Sequence, residues 1–251
     1  MRKLHLQLLA LFLTMALAPS AWGGWVLVSE TVKPGMSPMK ITNYYQGGRF
    51  ASVTPYGTTI IDAQKGLIIQ TDPWKKVYAE ATAHEMAQKI RASHQKVKAW
   101  LASLTPKDRA HVEKMLGIGK KPKVTVKKVC KESLLGHPCQ IYEIDLDGEK
   151  AIKLWITQDV SPFPHKAEKK FRKLVEEAFP EDKELSIFRL ESSPEFRNLT
   201  HQGLVLKLVD HRNDAITRAL VVKEEKIPTS QFKPPIDYKK VSWEKLGPKN
   251  K

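Results

Sequence analysis

The chain has 251 residues, 41% of them hydrophobic and 27% charged, with a formal net charge of +15. That apolar content excludes a disordered chain, and the length fits one domain or one domain with an insert. A basic balance ordinarily suggests nucleic acid, but the first residues argue for export. No nucleic acid is therefore expected, and the better anionic partners are a membrane surface or cell-wall polymer. The lysines and arginines are interspersed with glutamates, so ordinary solvated faces account for most of the charge.

Arg2 and Lys3 open the chain, and a mostly apolar run follows from Leu4 to Ala18. Pro19 breaks the run, and Ala21 and Gly23 put small residues where a cut before Gly24 needs them. This is the pattern of a cleaved secretory signal over residues 1–23, shorter than the roughly 20 apolar residues of a spanning helix. No cysteine lies near the cut, so no lipid anchor is expected. The mature protein is expected to be periplasmic and to act as a monomer.

Gly24 to Val32 predicts a strand, closed by Pro34-Gly35. Met39 to Gln46, Arg49 to Thr54, Thr58 to Asp62 and "LIIQTD" predict a meander whose first hairpin turns on Gly47-Gly48. From Tyr78 the pattern changes. Ala83, Met86, Ile90, Val97, Leu101 and Leu104 keep helical spacing, and Thr105, Pro106 and Asp108 start a second helix closed by Gly117. A helical insert over residues 78–117 is expected between two halves of a sheet.

Strands resume over Lys123 to Cys130, Gln140 to Asp145 and Lys150 to Thr157. A helix follows Ser161-Pro162, with Phe171, Leu174, Val175, Ala178 and Phe179 on one side. "LVLKLVD" and "AITRALVVKEEKI" predict a last hairpin. The prolines of "FKPPIDY" keep the next segment extended, and residues 244–251 are expected to fray.

Cys130 and Cys139 are the two cysteines. In an exported chain they suggest one disulfide, Cys130–Cys139, across a loop from Lys131 to Pro138, adding about 2–3 kcal/mol on the chain-entropy model. A zinc site with His137 falls short of a closed ligand shell, so no metal is expected. Their strand-like flanks do not resemble the setting of a catalytic thiol.

The residues in order look familiar: "IIDAQKGLIIQTDPWKKVYAE", then "LTPKDRAHVEKML", then G-x-x-C-x-x-Y in "GHPCQIY". A strand ending at Trp155, a helix, a G-L-V-L strand and "FKPPIDYKK" follow. The chain thereby resembles an exported bacterial family, one of the domains of unknown function, akin in fold to the outer-membrane lipoprotein carriers LolA and LolB. The resemblance covers Gly24 to Trp243. It implies one α+β domain over 24–243: a curved antiparallel sheet, an incomplete barrel, with helices on its concave side and an apolar cavity between. It implies a carrier of a lipid or acylated protein, without catalytic residues or cofactors.

The helical insert is longer than the carriers' plug, and no arginine equates directly with a cargo-retaining one. Arg49 is the nearest by type and place. The inward strand residues Tyr44, Phe50, Tyr142 and Trp155 are candidates for the cavity wall, with Met86, Ile90, Val97 and Leu101 as the facing lid. Core packing uses the same residues, so the two readings stay open. "HEMAQ" at His84 lacks the second histidine of a zinc-protease helix, and Asp145, Asp147 and Glu149 fit a solvated turn. An enzyme is not expected. The alternative to a carrier is an envelope interaction module that uses the helical insert as a partner-binding arm.

Overall fold

The structure is a computed structural model that describes residues 23–116, 118, 122–163, 165–180, 190–191 and 193–246. The expected signal segment up to residue 22, Gly117 at the end of the expected insert, and the tail from residue 247 lie outside the described residues. The first six strands form the expected meander: β1 (Gly24–Val32), β2 (Met39–Gln46), β3 (Arg49–Thr54), β4 (Gly57–Asp62), β5 (Leu67–Asp72) and β6 (Val77–Thr82). Helices α1 (Ala83–Ser103) and α2 (Pro106–Leu116) follow. Then come β7 (Val124–Leu134), β8 (His137–Leu146), β9 (Glu149–Thr157), α3 (His165–Ala178) and α4 (Pro194–Thr200). The described chain closes with β10 (Leu204–Asp210), β11 (Ala215–Glu225) and the short β12 (Lys239–Lys240).

All twelve strands among the described residues join one sheet, ordered β12-β6-β5-β4-β3-β2-β1-β11-β10-β9-β8-β7. Every pairing is antiparallel except β12 on β6. The edge strands β12 and β7 do not meet, so the barrel is unclosed. Register shifts in the β1–β11, β9–β10, β8–β9 and β7–β8 ladders supply the extra residues that bend strands and increase twist. The expected α+β class with a curved, open antiparallel sheet is what forms.

Burial on both faces explains the texture of the meander. Ile61, Ile68 and Ala81 pack under Met86 of α1 and Leu174 and Ala178 of α3. On the opposite face Val26, Ala51, Ile60 and Ile69 are covered by Ile227 and Phe232, from the segment after β11. Strands buried on both sides carry consecutive apolar residues, hence "II" in both β4 and β5. In the other half, Ile144, Ile152, Leu154 and Ile156 pack against Leu190 and against Phe196 and Leu199 of α4.

Three expectations are corrected. The insert begins at Ala83, because Tyr78–Thr82 continue β6 and pair with β5. Thr82 then caps α1: its hydroxyl accepts from Glu85 N (3.2 Å), while the Glu85 carboxylate accepts from Thr82 N (2.7 Å).

The Cys130–Cys139 disulfide is not formed, and both cysteines are free. Their strands are joined by two residues, Leu135 and Gly136, with φ of 52° and 82°, so the loop expected from Lys131 to Pro138 is mostly ladder. That register sets Glu132 opposite Cys139 and drops Cys130 into the shift between Lys128 and Lys131. Cys130 is exposed and Cys139 buried, and burial pushes the Cys139 thiol up. A buried, protonated thiol is chemically quiet.

Residues 244–246, expected in the tail, are held in place. Trp243–Lys245 is a 3-10 turn, and Glu244 meets Lys89 of α1 at 2.6 Å.

Candidate functional site

A deep concave feature lies between α3, α4 and the ends of β2 and β9. It is a cleft of about 760 Å³, within the range of small-molecule sites. Its position follows from three local structures. After β9, the Thr157 hydroxyl accepts from Asp159 N (3.2 Å) and the Ser161 hydroxyl donates to Phe163 O (2.9 Å), folding Val160 and Phe163 inward. Pro194 starts α4, and the Ser193 hydroxyl accepts from Phe196 N (3.2 Å). Gly203 then crosses the Thr157 carbonyl so closely that a Cβ would stand 2.1 Å from the oxygen.

The wall is aromatic. Tyr45, Phe163 and Phe171 line it, with ring centroids 5.5 Å (Tyr45–Phe163) and 4.9 Å (Phe163–Phe171) apart. Phe50 stands behind, 5.1 Å from Tyr45 and 6.0 Å from Phe171. Phe171 and Val175 of α3, with Phe179 just beyond its end, recur every four residues and line the cleft; Phe171 and Val175 also pack on the core that Leu174 and Ala178 enter. Burial raises the Tyr45 phenol to about 12, so it stays a neutral hydroxyl at physiological pH.

The cleft edge is charged. Glu168, Arg172, Glu176, Arg197 and His201 line it. Arg172 is fixed by an ion pair to Glu168 one turn away and donates to the His201 carbonyl at 3.2 Å. Burial first, then the Arg172 charge, lowers the His201 pKa, so its ring is neutral near pH 7. A second cleft of about 390 Å³ shares Tyr45, Thr200 and Gly203 with the first and continues over Leu27, Ser29, Asn43, Leu206 and Leu208. The Asn43 side-chain Oδ1 is buried there without a hydrogen-bond partner among the described residues. The arrangement suits an elongated apolar chain with a polar head. Among the described residues no group of three or more His, Cys, Asp or Glu could hold a metal ion.

None of the nine candidates named from the sequence lines the larger cleft. Phe50 backs its wall, and the Tyr142 hydroxyl donates to Gln202 Oε1 (3.1 Å), a lining residue. Met86 and Ile90 fill the core between α1 and the meander. Leu101 is buried, whereas Val97 is 38% exposed. Tyr44 and Arg49 lie on the opposite face of the sheet. Tyr44 packs with Val26 and Ala51. The Arg49 guanidinium sits 4.7 Å over the Phe232 ring, donates to Gln46 Oε1 (3.2 Å) and clamps the C-terminal segment. Trp155 donates to Glu132 Oε2 (2.7 Å) and lies under Lys207 and Lys153.

The residues the sequence analysis passed over are Phe163, Arg172, Arg197 and His201. Phe171, Val175 and Phe179 were assigned to an apolar helix face, and that face is wider than one core contact needs.

No curated protein matches the chain by sequence. Solved structures give distant likenesses. An uncharacterized conserved protein from Thermus thermophilus superposes at TM-score 0.44 and 8% identity, covering 88% of this chain and 91% of that one. The MucA/MucB complex of Pseudomonas aeruginosa gives 0.39 and 9%, covering 90% and 60%. A LolA superfamily protein from Nitrosomonas europaea gives 0.27 and 9%, covering 84% and 90%. These likenesses are too distant to carry an argument about the site. The profile of the DUF4412 family, a domain of unknown function, matches residues 79–238, well over half of the chain, and the chain belongs to that family.

Proposed function

We propose that the protein is a non-catalytic binding or carrier protein for an acylated, amphipathic ligand held in the cleft between sheet, α3 and α4. The single observation that carries this is a cleft of about 760 Å³ with an aromatic wall and a charged rim of Glu168, Arg172, Glu176, Arg197 and His201. Each acyl methylene moved from water onto that wall gains about 0.8 kcal/mol, and the arginines match an anionic head. On this reading the helices pack on the concave side of the sheet and the second cleft extends the acyl channel. The proposal also takes the protein to be periplasmic, cut before Gly24. A first residue other than Gly24 in protein recovered from the cell envelope removes that part.

The test is mass spectrometry of lipid extracted from purified protein, with displacement of cis-parinaric acid as the binding assay. A stoichiometric acyl species should appear, and Val175→Trp, which fills the cleft, should abolish probe binding while thermal unfolding stays cooperative. A folded protein that binds no acyl probe after delipidation ends the proposal. The alternative, a protein-binding arm, rests on Val97 and Trp100, which stand exposed on α1.

A further inference from the structure

The most exposed large apolar side chains are not on the cleft or on α1. They are Ile236, Trp74, Tyr56 and Met36, at 105%, 69%, 61% and 60% of full exposure. Topology gathers them. The connections β1–β2 (33–38), β3–β4 (55–56) and β5–β6 (73–76) each follow an odd-numbered strand of an antiparallel meander, so all three leave the sheet at the same end. Met36, Tyr56 and Trp74 are on these three turns. Ile236 precedes β12, which runs parallel to β6. It is tied to the same end by Lys76–Asp237 (3.0 Å) and by Lys239 N donating to Lys76 O (3.0 Å). The Tyr56 and Trp74 rings lie 5.9 Å apart.

Connections between strands are normally polar and solvated, so a row of four apolar tips needs an occupant. The tips are set among lysines. Segments 33–38, 55–56, 73–76 and 236–239 contain Lys33, Lys75, Lys76 and Lys239; Lys75 pairs with Asp72 (3.7 Å) and Lys76 with Asp237 (3.0 Å), so the rim keeps a net positive charge. Protein-binding hot spots are packed pockets in surfaces depleted of lysine. A row of exposed tryptophan, tyrosine and aliphatic tips with lysines around it is the composition of a headgroup-level anchor. Among the described residues no helix is long and apolar enough to cross a membrane.

We propose that this rim docks on an anionic lipid bilayer, with Trp74, Tyr56, Ile236 and Met36 entering the headgroup region and the lysines meeting lipid phosphates. The surface is separate from the cleft. Tyr45 lies at the far end of β2 from the 33–38 turn, so a docked molecule presents its cleft away from the bilayer.

The test uses the full mature chain and co-sedimentation with vesicles of phosphatidylcholine alone or mixed equally with phosphatidylglycerol. Binding should require phosphatidylglycerol and weaken with salt. The Trp74→Ala/Tyr56→Ala double variant should bind about tenfold more weakly, with unchanged melting temperature and unchanged parinaric acid binding. Trp100→Ala, exposed on α1, should bind as wild type. Unchanged vesicle binding by the double variant overturns the proposal, as does failure of the wild type to bind anionic vesicles. Loss of a protein partner by the same variant, without any vesicle binding, reassigns the rim to a protein interface.

Discussion

Leu135 adopts φ of 52° at the tip of the β7–β8 hairpin, followed by Gly136 at 82°. Two positive φ values make a tight hairpin turn whose twist matches the strands, and asparagine followed by glycine is its preferred sequence. Leucine there carries a left-handed penalty of about 1–2 kcal/mol, and its side chain is half exposed. Leu135→Asn should therefore stabilise the fold by about 0.5–1 kcal/mol in urea unfolding, and Leu135→Ala should not. A loss of stability in Leu135→Asn would mean that the leucine makes a contact outweighing the strain. The Glu244 carboxylate is a second case. Its bond to Lys89 (2.6 Å) is the main cause of a pKa lowered to about 2. A carboxylate with a depressed folded value contributes in full above its unfolded value, about 4.3, and loses the contribution as pH falls through the folded one. The melting-temperature gap between wild type and Glu244→Gln should thus be small but constant at pH 6–7. It should close between about pH 4 and pH 2. A gap that persists at the acid end would exclude the ion pair as its source.

Helix α1 distinguishes periodicity from contact. Met86, Ile90, Val97 and Leu101 share one apolar stripe, yet they differ in contact: Met86 meets Ile61, Ile68 and Ala81 and Leu101 is buried, whereas Val97 between them is exposed. Met86→Ala should cost about 2–4 kcal/mol, and Val97→Ala should stay within about 0.5 kcal/mol. Equal costs would show that Val97 is as tightly packed as Met86, contrary to its exposure. This is where sequence and structure part. Turn chemistry marked the strands well, because Gly47-Gly48 and Asp147-Gly148 can occupy positive φ with little strain. The β7–β8 turn was missed because its first residue is a leucine, and the missed turn shifted the register that a disulfide needed. Alternation marked an inward face but could not say what covers each face. Tyr44 and Arg49 therefore went to the C-terminal segment, while their neighbours Tyr45 and Phe50 went to the cleft wall. The cleft was legible only as the excess width of the α3 face, since Phe163 comes from a connection and Arg197 and His201 from a seven-residue helix and its cap, too short to show a period.

The whole sheet sets the unit that must fold. The family match runs over residues 79–238, but the strand order places β1 to β5 between β6 and β11. The segment 79–238 keeps only part of β6, lacks β12, and severs β6 from the β7–β11 half. It also loses Ile61 and Ile68 from beneath α1 and α3, and Val26, Ala51, Ile60 and Ile69 from beneath Ile227 and Phe232. The cleft loses Tyr45. Two apolar layers would be stripped on one side each, an area that hydrogen bonding within the remaining strands does not offset. The fragment 79–238 should accordingly show no cooperative thermal transition and should bind a dye specific for exposed apolar surface, whereas the chain from Gly24 should melt in one step. Supplying residues 24–78 as a separate polypeptide should restore the transition, because the missing strands pair on both sides of the gap. If the fragment melts cooperatively alone, β6 and β11 have found another arrangement, and the amino-terminal strands are an addition to a self-sufficient family domain rather than its centre.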